Sequence, residues 1–360
     1  VTETLSQLST VFIYVAMGFY AAAFIAFALD LARRGARATA EEAALVPSAV
    51  ARRAEVATPV GATAARLSVS GGSADAPPQA PPSSALGRLS SRISTRLEDD
   101  VMNGAASSAS IKWAFGLTIA GWGFHLIATV LRGIAADRVP WANMWEFSMT
   151  GTLVIVGVFL VANLEWEIKY LGTFIIGLVL VLQGIALLRY YVPVVPLQPA
   201  LQSYWLVIHI IVAVLGTAFF ALGFALSGLQ LLQYRRERQV AESRPQQFRF
   251  LSTLPSAVAL ENLAYRINIV GFIAWTFTLI AGAIWAEKAW GRYWGWDTKE
   301  VWTFIIWVIY AGYIHARATR GWRGSRSAWL AIIGFAAVLF NFGVVNVFFH
   351  GLHAYSGLGS

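Results

Sequence analysis

The stretch "WGRYWGWDTKEVW", from Trp290 to Trp302, gathers four tryptophans around Arg292, Asp297, Lys299 and Glu300. Trp290 and Trp294 share a face if the stretch is helical. Trp294 and Trp296 share one if it is extended. Either way several indoles collect at one level between two apolar runs. Two readings fit. Tryptophans form belts at membrane interfaces, but a belt spreads them over many spans. Spacing this close also suits a platform for a flat ligand. The run Asp297-Thr298-Lys299-Glu300 has capping-box spacing: the first carboxylate accepts from helix amides and the second reaches back. Such a cap would hold the platform above the next helix. Arg292 and Lys299 would either grip ligand carboxylates or snorkel at the interface.

The chain has five histidines and no cysteine. The lack of cysteine excludes a dithiol reductase, a thiolate metal site and a Cys-x-x-Cys-His haem attachment of its own. Any redox or metal chemistry therefore rests on histidine, carboxylate or a bound cofactor. His209 opens one apolar run and His353 follows another, so both fall at the level of the tryptophans. Two imidazoles over a flat aromatic site suggest axial ligation of haem iron. His350 and His353 would also suit a divalent metal, but no third ligand is evident. His125 and His315 lie inside apolar runs. There an ionisable side chain is a functional hypothesis by default, although either one alone is also compatible with packing.

These residues must be positioned by helices. The chain is 360 residues long, 57% hydrophobic and 13% charged, with a mean hydropathy of +0.60. A soluble domain carries about 25% charge. Several apolar runs exceed the roughly 18 residues that cross a bilayer. The expected fold is all-α, a polytopic membrane bundle of about eight transmembrane helices. They lie near 11–31, 112–133, 146–164, 170–190, 204–232, 266–286, 301–319 and 327–349. The net charge of +8 reflects topology rather than nucleic acid, because arginines flank the spans. Arg33, Arg34 and Arg37 follow the first span, Arg235, Arg236 and Arg238 the fifth, and Arg317, Arg320, Arg323 and Arg326 the seventh. All fall on the cytoplasmic side if both termini are outside.

The first span lacks a basic segment before it and ends in "LARRGAR", which reads as a retained anchor over 1–32. Residues 33–110, with "SGGSADAPPQAPPSS" at their centre, cannot bury enough apolar surface to offset ordering entropy. They are expected to be a flexible cytoplasmic linker, with a short surface helix at "SSRISTRLEDD". A seven-helix core follows over 111–360. Its outer segments 134–145, 191–203 and 287–300, with the tail from His350, are expected to face one another across one outer pocket.

The stretch at 290–297 resembles the WWD signature of haem-handling membrane proteins, most closely the CcsA/ResC family of cytochrome c biogenesis. The segments "VPWANMWEF", "LQSYWLVIHI", "YIHARATRGW" and "VVNVFFHGLHAYSG" resemble family segments in the same order, covering about 113–356. The resemblance implies that haem b is held at the outer face by Trp290, Trp294, Trp296 and Asp297, with Trp141 and Trp145 from the second outer loop. It implies His209 and His353 as outer axial ligands, and Arg292 and Lys299 as propionate contacts. His315 matches a histidine linked to a second haem position within the bilayer, with His125 as its candidate partner. The implied setting is a bacterial plasma membrane. The implied complex is a cytochrome c synthase (haem lyase) with a ResB/CcsB-type membrane partner, which joins haem vinyl groups to apocytochrome c thiols. Those thiols would be kept reduced by a thioredoxin-like protein. Thr298 stands where the family has proline, and the 33–110 segment is atypical. Two rival readings are a b-type haem electron-transfer subunit and a transporter of another flat anionic substrate.

Overall fold

The computed structural model describes residues 1–56, 108–242, 244, 248–319, 321–349, 351–353 and 356–358, without the side chains of 38, 39, 41–56 and 249. His350 and most of the expected linker, including its "SSRISTRLEDD" segment, lie outside these residues.

Among the described residues the regular structure is entirely helical. The long helices are α1 Thr2–Val56, α2 Ala109–Ala136, α3 Met144–Glu165, α4 Gly172–Arg189, α5 Tyr204–Ala241, α6 Ala257–Trp290, α7 Thr298–Thr319 and α8 Ser325–Leu339. Among the described residues seven spans are long and apolar enough to cross a membrane, α8 being counted with its continuation to Phe348. α7 is the expected span that falls short. Its 22 residues include Lys299 and Glu300 in the first turn and Arg317 in the last. The chain is a multi-pass membrane protein. α1 does not stop at residue 32 but continues as one helix to Val56, so the anchor and the start of the expected linker form a single element.

The helix ends follow local chemistry. Asn143 caps α3, its side chain accepting from the Glu146 amide at 2.9 Å. Ser203 caps α5 and Ser256 caps α6. α6 stops at Gly291, whose φ of 71° is the left-handed conformation that closes a helix without steric cost.

Consecutive helices alternate in direction. The start of α1, α3, α5 and α7 and the finish of α2, α4, α6 and α8 therefore gather at one end of the bundle. Leu164, Leu188 and Ile273 are exposed on its outside, as expected of side chains that meet lipid. Inside, indoles peg neighbouring helices together. Trp122 donates to the Leu153 carbonyl at 3.0 Å, and Trp307 donates to Thr276 Oγ1 at 3.0 Å.

The gathered end is knitted by a buried ion cluster. Arg132 of α2 is 1% exposed and donates to Glu146 Oε1 at 3.1 Å, Ser6 Oγ at 3.0 Å and the Val192 carbonyl at 2.7 Å. Arg138 donates to the other oxygen of Glu146, which also accepts from the Ala142 amide at 3.0 Å. One carboxylate thus ties α1, α2, α3 and the loop after α4 together. Removing one partner of such a cluster strands a buried charge, at a cost of about 3–5 kcal/mol. Glu146→Ala is expected to lower the unfolding free energy in detergent by that amount. Glu165→Ala, at an exposed helix end, should stay within about 0.5 kcal/mol.

Candidate functional site

The gathered end of the bundle opens into a cavity of about 1230 Å³, its mouth included. Phe147, Gly151 and Ile155 of α3, His209 and Thr217 of α5, Trp275 and Gly282 of α6, and Phe335 and Phe342 at the α8 end line it. The lining is largely apolar. Polar groups are concentrated near the mouth, where His209, His353, Lys299, Glu300 and Asn341 meet it. The segments 134–145 and 191–203 and the tail converge at this end. The Met144 amide donates to the Ser356 carbonyl at 3.1 Å, and Trp285 Nε1 donates to the Ala200 carbonyl at 3.0 Å.

His209 and His353 reach the cavity from different elements, α5 and the tail, and share one tryptophan. The His209 ring stacks on Trp285 with centroids 5.9 Å apart and an interplanar angle of 14°. The His353 ring meets Trp285 edge-on at 5.4 Å and Trp290 at 4.8 Å. Their hydrogen bonds decide the tautomers. His209 Nδ1 lies 3.0 Å from the Thr278 carbonyl, which can only accept, so Nδ1 carries the proton. His353 Nδ1 lies 2.7 Å from Asp297 Oδ2. The hydrogen bond from His353, together with the Leu352 and Lys299 amides, holds the Asp297 carboxyl below its ordinary pKa against the opposing effect of burial. Asp297 is therefore an anion and His353 Nδ1 is also the donor. Both rings are left with Nε2 unprotonated in the neutral form and open to the cavity. A metal-binding imidazole uses this arrangement, one nitrogen fixed by an acceptor and the other free.

The expected capping box is present with a change of role. Glu300 Oε2 accepts from the Asp297 amide at 3.0 Å, as expected, and also from the Gly295 amide at 2.8 Å. It therefore holds the backbone on both sides of Trp296, whose φ is 59°. A bulky residue in the left-handed region is strained by about 1–3 kcal/mol and persists only when its surroundings over-determine it. Asp297 gives its α7 amide, from Lys299, only a long 3.4 Å contact. Its carboxylate faces the tail instead, accepting from His353 Nδ1 and from the Leu352 amide at 3.2 Å. Gly351 passes so close that a β-carbon there would lie 2.1 Å from Asp297 Oδ1.

The other anticipated residues are distributed unevenly. Trp294 lines the cavity and meets Trp296 edge to face at 5.8 Å. Trp296 itself is 74% exposed and not part of the lining. Trp290 and Trp141 pack in the apolar cluster around Trp285. They support the wall rather than form it. Trp145 is a correction: it is 1% exposed in a separate cluster with Ile13, Ala128 and Met149, and acts as core. Arg292 folds back over Gly295 and does not line the cavity. Lys299 does, with its Nζ donating to the Asn341 carbonyl at 3.3 Å and to Asn346 Oδ1. Asn341 belongs to a π-helical turn, Phe340–Val345, that closes α8; such turns recur at functional sites because they redirect backbone groups.

His125 and His315 are not brought together. His125 is buried on α2 between α1 and α3, with Nδ1 3.3 Å from the Tyr20 hydroxyl. His315 is exposed on α7, near the end of the bundle away from the cavity. Within the chain they cannot ligate one ion, because α2 packs on α1 and α3 whereas α7 packs on α6 and α8. Sequence reasoning missed Thr278, Trp285 and Gly282. A backbone carbonyl carries no sequence signal, but a tryptophan at the last turn of an apolar helix is a visible one.

Residues 141–353 match the family described as cytochrome C assembly protein. The chain belongs to this family. It is 33% identical over 248 residues to the cytochrome c biogenesis protein CcsA of Heterosigma akashiwo, covering 61% of this chain and 77% of that one. It is 31% identical over 284 residues to CcsA of Trieres chinensis, with 70% and 91% coverage. It is 39% identical over 177 residues to CcsA of Prochlorococcus marinus, with 44% and 56% coverage. A solved structure titled cytochrome c heme lyase CcmF superposes with a TM-score of 0.47 at 16% identity, covering 76% of this chain and 48% of that one. All four site elements, α5, α6, α7 and the tail to His353, fall within the family match.

The Asp297 contacts make a pH prediction. The folded carboxyl titrates below its ordinary value, so its stabilising effect is complete above about pH 4 and is lost as acid protonates it. Hydrogen exchange at the Leu352 amide should therefore show protection that collapses in acid. In Asp297→Asn, which keeps an acceptor but cannot titrate, that acid step should disappear.

Proposed function

We propose that this chain is the haem-holding subunit of a cytochrome c synthase and presents haem at the cavity end of the bundle. The observation that carries the reading is the pair of histidines, His209 and His353, each with Nδ1 fixed by an acceptor and Nε2 open to one cavity. The donor set fits haem iron: two neutral imidazoles, a flat aromatic surround, and an apolar interior for the macrocycle. Membership of the cytochrome C assembly family supports the same reading.

His209 is the rigid ligand of the pair, set in a helix and backed by Trp285. His353 is the ligand carried by the tail, oriented by Asp297. Lys299 lies where a propionate would need a partner, while Arg292 is available only if it leaves Gly295. Trp294 supplies the aromatic wall and Trp296 an exposed indole at the rim. When bound, haem b supplies two vinyl groups to which the cysteine thiols of a Cys-x-x-Cys-His motif in an apocytochrome can add. The protein contributes position rather than a nucleophile, and holding two reactants in register is itself a large rate effect. The positive-inside pattern supports a location of this end on the outer face of the membrane, on this reading a bacterial plasma membrane. A ResB/CcsB-type membrane partner completes the complex, a thioredoxin-like protein reduces the apocytochrome thiols, and the exposed His315 remains available to a partner helix.

Single replacement of His209 or His353 by Ala, in the chain co-expressed with its partner, should abolish most of the Soret absorption and cytochrome c maturation. Added imidazole should restore both. If neither variant alters haem content, the ligand assignment fails. A b-type electron-transfer subunit would instead keep its haem through turnover, whereas this reading requires haem to leave with the apocytochrome. Gly282→Ala tests the geometry more gently. A β-carbon there would lie 2.8 Å from His209 Cε1 and 2.9 Å from Nδ1, so the ring must move off the Thr278 carbonyl. Haem should still bind, with a shifted spectrum and about 10–100-fold weaker affinity.

A further inference from the structure

Helices α5–α8 bury a second set of polar groups, below the cavity, for which the haem site has no use. At the end away from the cavity, Glu261 of α6 accepts from Arg317 of α7 at 3.1 Å and from the Gly324 amide at 2.8 Å. Above it the Tyr313 phenol lies beside the Asn268 side chain, and Tyr313 meets Tyr310 with ring centroids 6.4 Å apart. Asn268 is 0% exposed, and apart from this approach to Tyr313 neither its Oδ1 nor its Nδ2 has a hydrogen-bond partner among the described residues. Tyr310 OH and Ser227 Oγ are likewise buried without one. Gly223 of α5 makes room for Asn268, since a β-carbon there would lie 2.1 Å from Oδ1. Tyr310 stacks on Phe220 at 3.6 Å, and Phe220 contacts Trp275, which lines the cavity.

Buried polar groups left without a partner carry their full desolvation penalty. In a membrane bundle they are retained where they line a route for ions, protons or water. Native proteins satisfy such groups with buried water making two to four bonds. We propose that Asn268, Tyr310, Tyr313 and Ser227 hold a file of water that opens beside Glu261 and Arg317. Through it, water and its protons reach the aromatic floor beneath the cavity. Tyr310 and the cavity-lining Thr303 are seven residues apart on α7, two helical turns or about 10 Å, so the file ends close under the floor without joining the cavity.

X-ray radiolytic labelling tests this on the full chain as purified. Hydroxyl radicals formed from bound water oxidise the side chains beside them, and mixing with ¹⁸O water just before the pulse marks water that exchanges with bulk. Tyr310 and Tyr313 are expected to label severalfold faster than Phe159, which is 0% exposed in an apolar cluster, after correction for intrinsic reactivity. The label should carry ¹⁸O. Asn268→Leu should slow labelling of both tyrosines. Should that variant fold poorly, Tyr310→Phe, which deletes one hydroxyl, should slow it at Tyr313. Labelling no faster than at Phe159 would show a dry core and overturn the proposal. Label carrying only ¹⁶O would show sealed structural water and overturn the route. His209→Ala should leave the labelling unchanged, so this inference and the haem reading fail separately.

Discussion

The site depends on the Asp297 carboxylate. It stands at the junction of the loop after α6, the first turn of α7 and the tail beyond α8, and it touches all three. Its hydrogen bonds to the Leu352 amide and to His353 Nδ1 hold the tail across the start of α7. Nothing else in the tail's sequence would direct an imidazole there. Because the carboxyl is held ionised, it can only accept, and that fixes which nitrogen of His353 is free. Glu300 does the corresponding work one turn later, gripping the amides on either side of Trp296. Two acidic side chains at capping positions thus convert an irregular loop into a defined rim.

The rest of the molecule answers a constraint of the bilayer: polar groups inside must be satisfied inside. The two halves of the bundle meet it differently. In α1–α4 the buried charges form a closed cluster around Glu146, with Arg132 using three separate acceptors. That half is scaffold, and its one histidine, His125, is packed against Tyr20. In α5–α8, His209 and His353 each have a free nitrogen at the cavity, and the Tyr310 hydroxyl is buried without a partner among the described residues. In α1–α4, His125 Nε2, Asn163 Oδ1 and Gln183 Nε2 are also buried without one.

Much of this was legible in the sequence. Helix number and the position of His209 and His353 at the ends of apolar runs follow from period and length alone. The capping box was readable from Asp297 and Glu300, although the sequence could not show that the Asp297 carboxylate turns to the tail. What failed was azimuth. Depth along a helix can be counted from residue number, but which way a side chain points depends on which neighbours the helix has. His125 and His315 count out about two helical turns apart in depth, and their helices also pack on different partners. Trp145 was read with Trp141 because they share a loop, but one more turn of helix puts Trp145 into the core. The Thr278 carbonyl was beyond reach, since every residue offers one.

The two histidines are held unequally, and such an inequality would suit the proposed transfer of haem. His209 is fixed in the middle of a packed wall: its ring lies between Trp285 and Gly282, and its proton is held by a carbonyl of the adjacent helix. Moving it means disturbing α5 against α6. His353 lies on a tail past the last helical turn, and its side chain is 18% exposed. Its orientation rests mainly on Asp297. A carboxylate partner makes an imidazole a stronger donor to a metal, so the more mobile residue has the better electronics. Breaking that hydrogen bond and the edge-on contacts with Trp285 and Trp290 would release the ring without separating the helices. A flat molecule clasped between the two would therefore be freed from the tail side, toward the rim where Trp296 is exposed and an incoming chain could reach it.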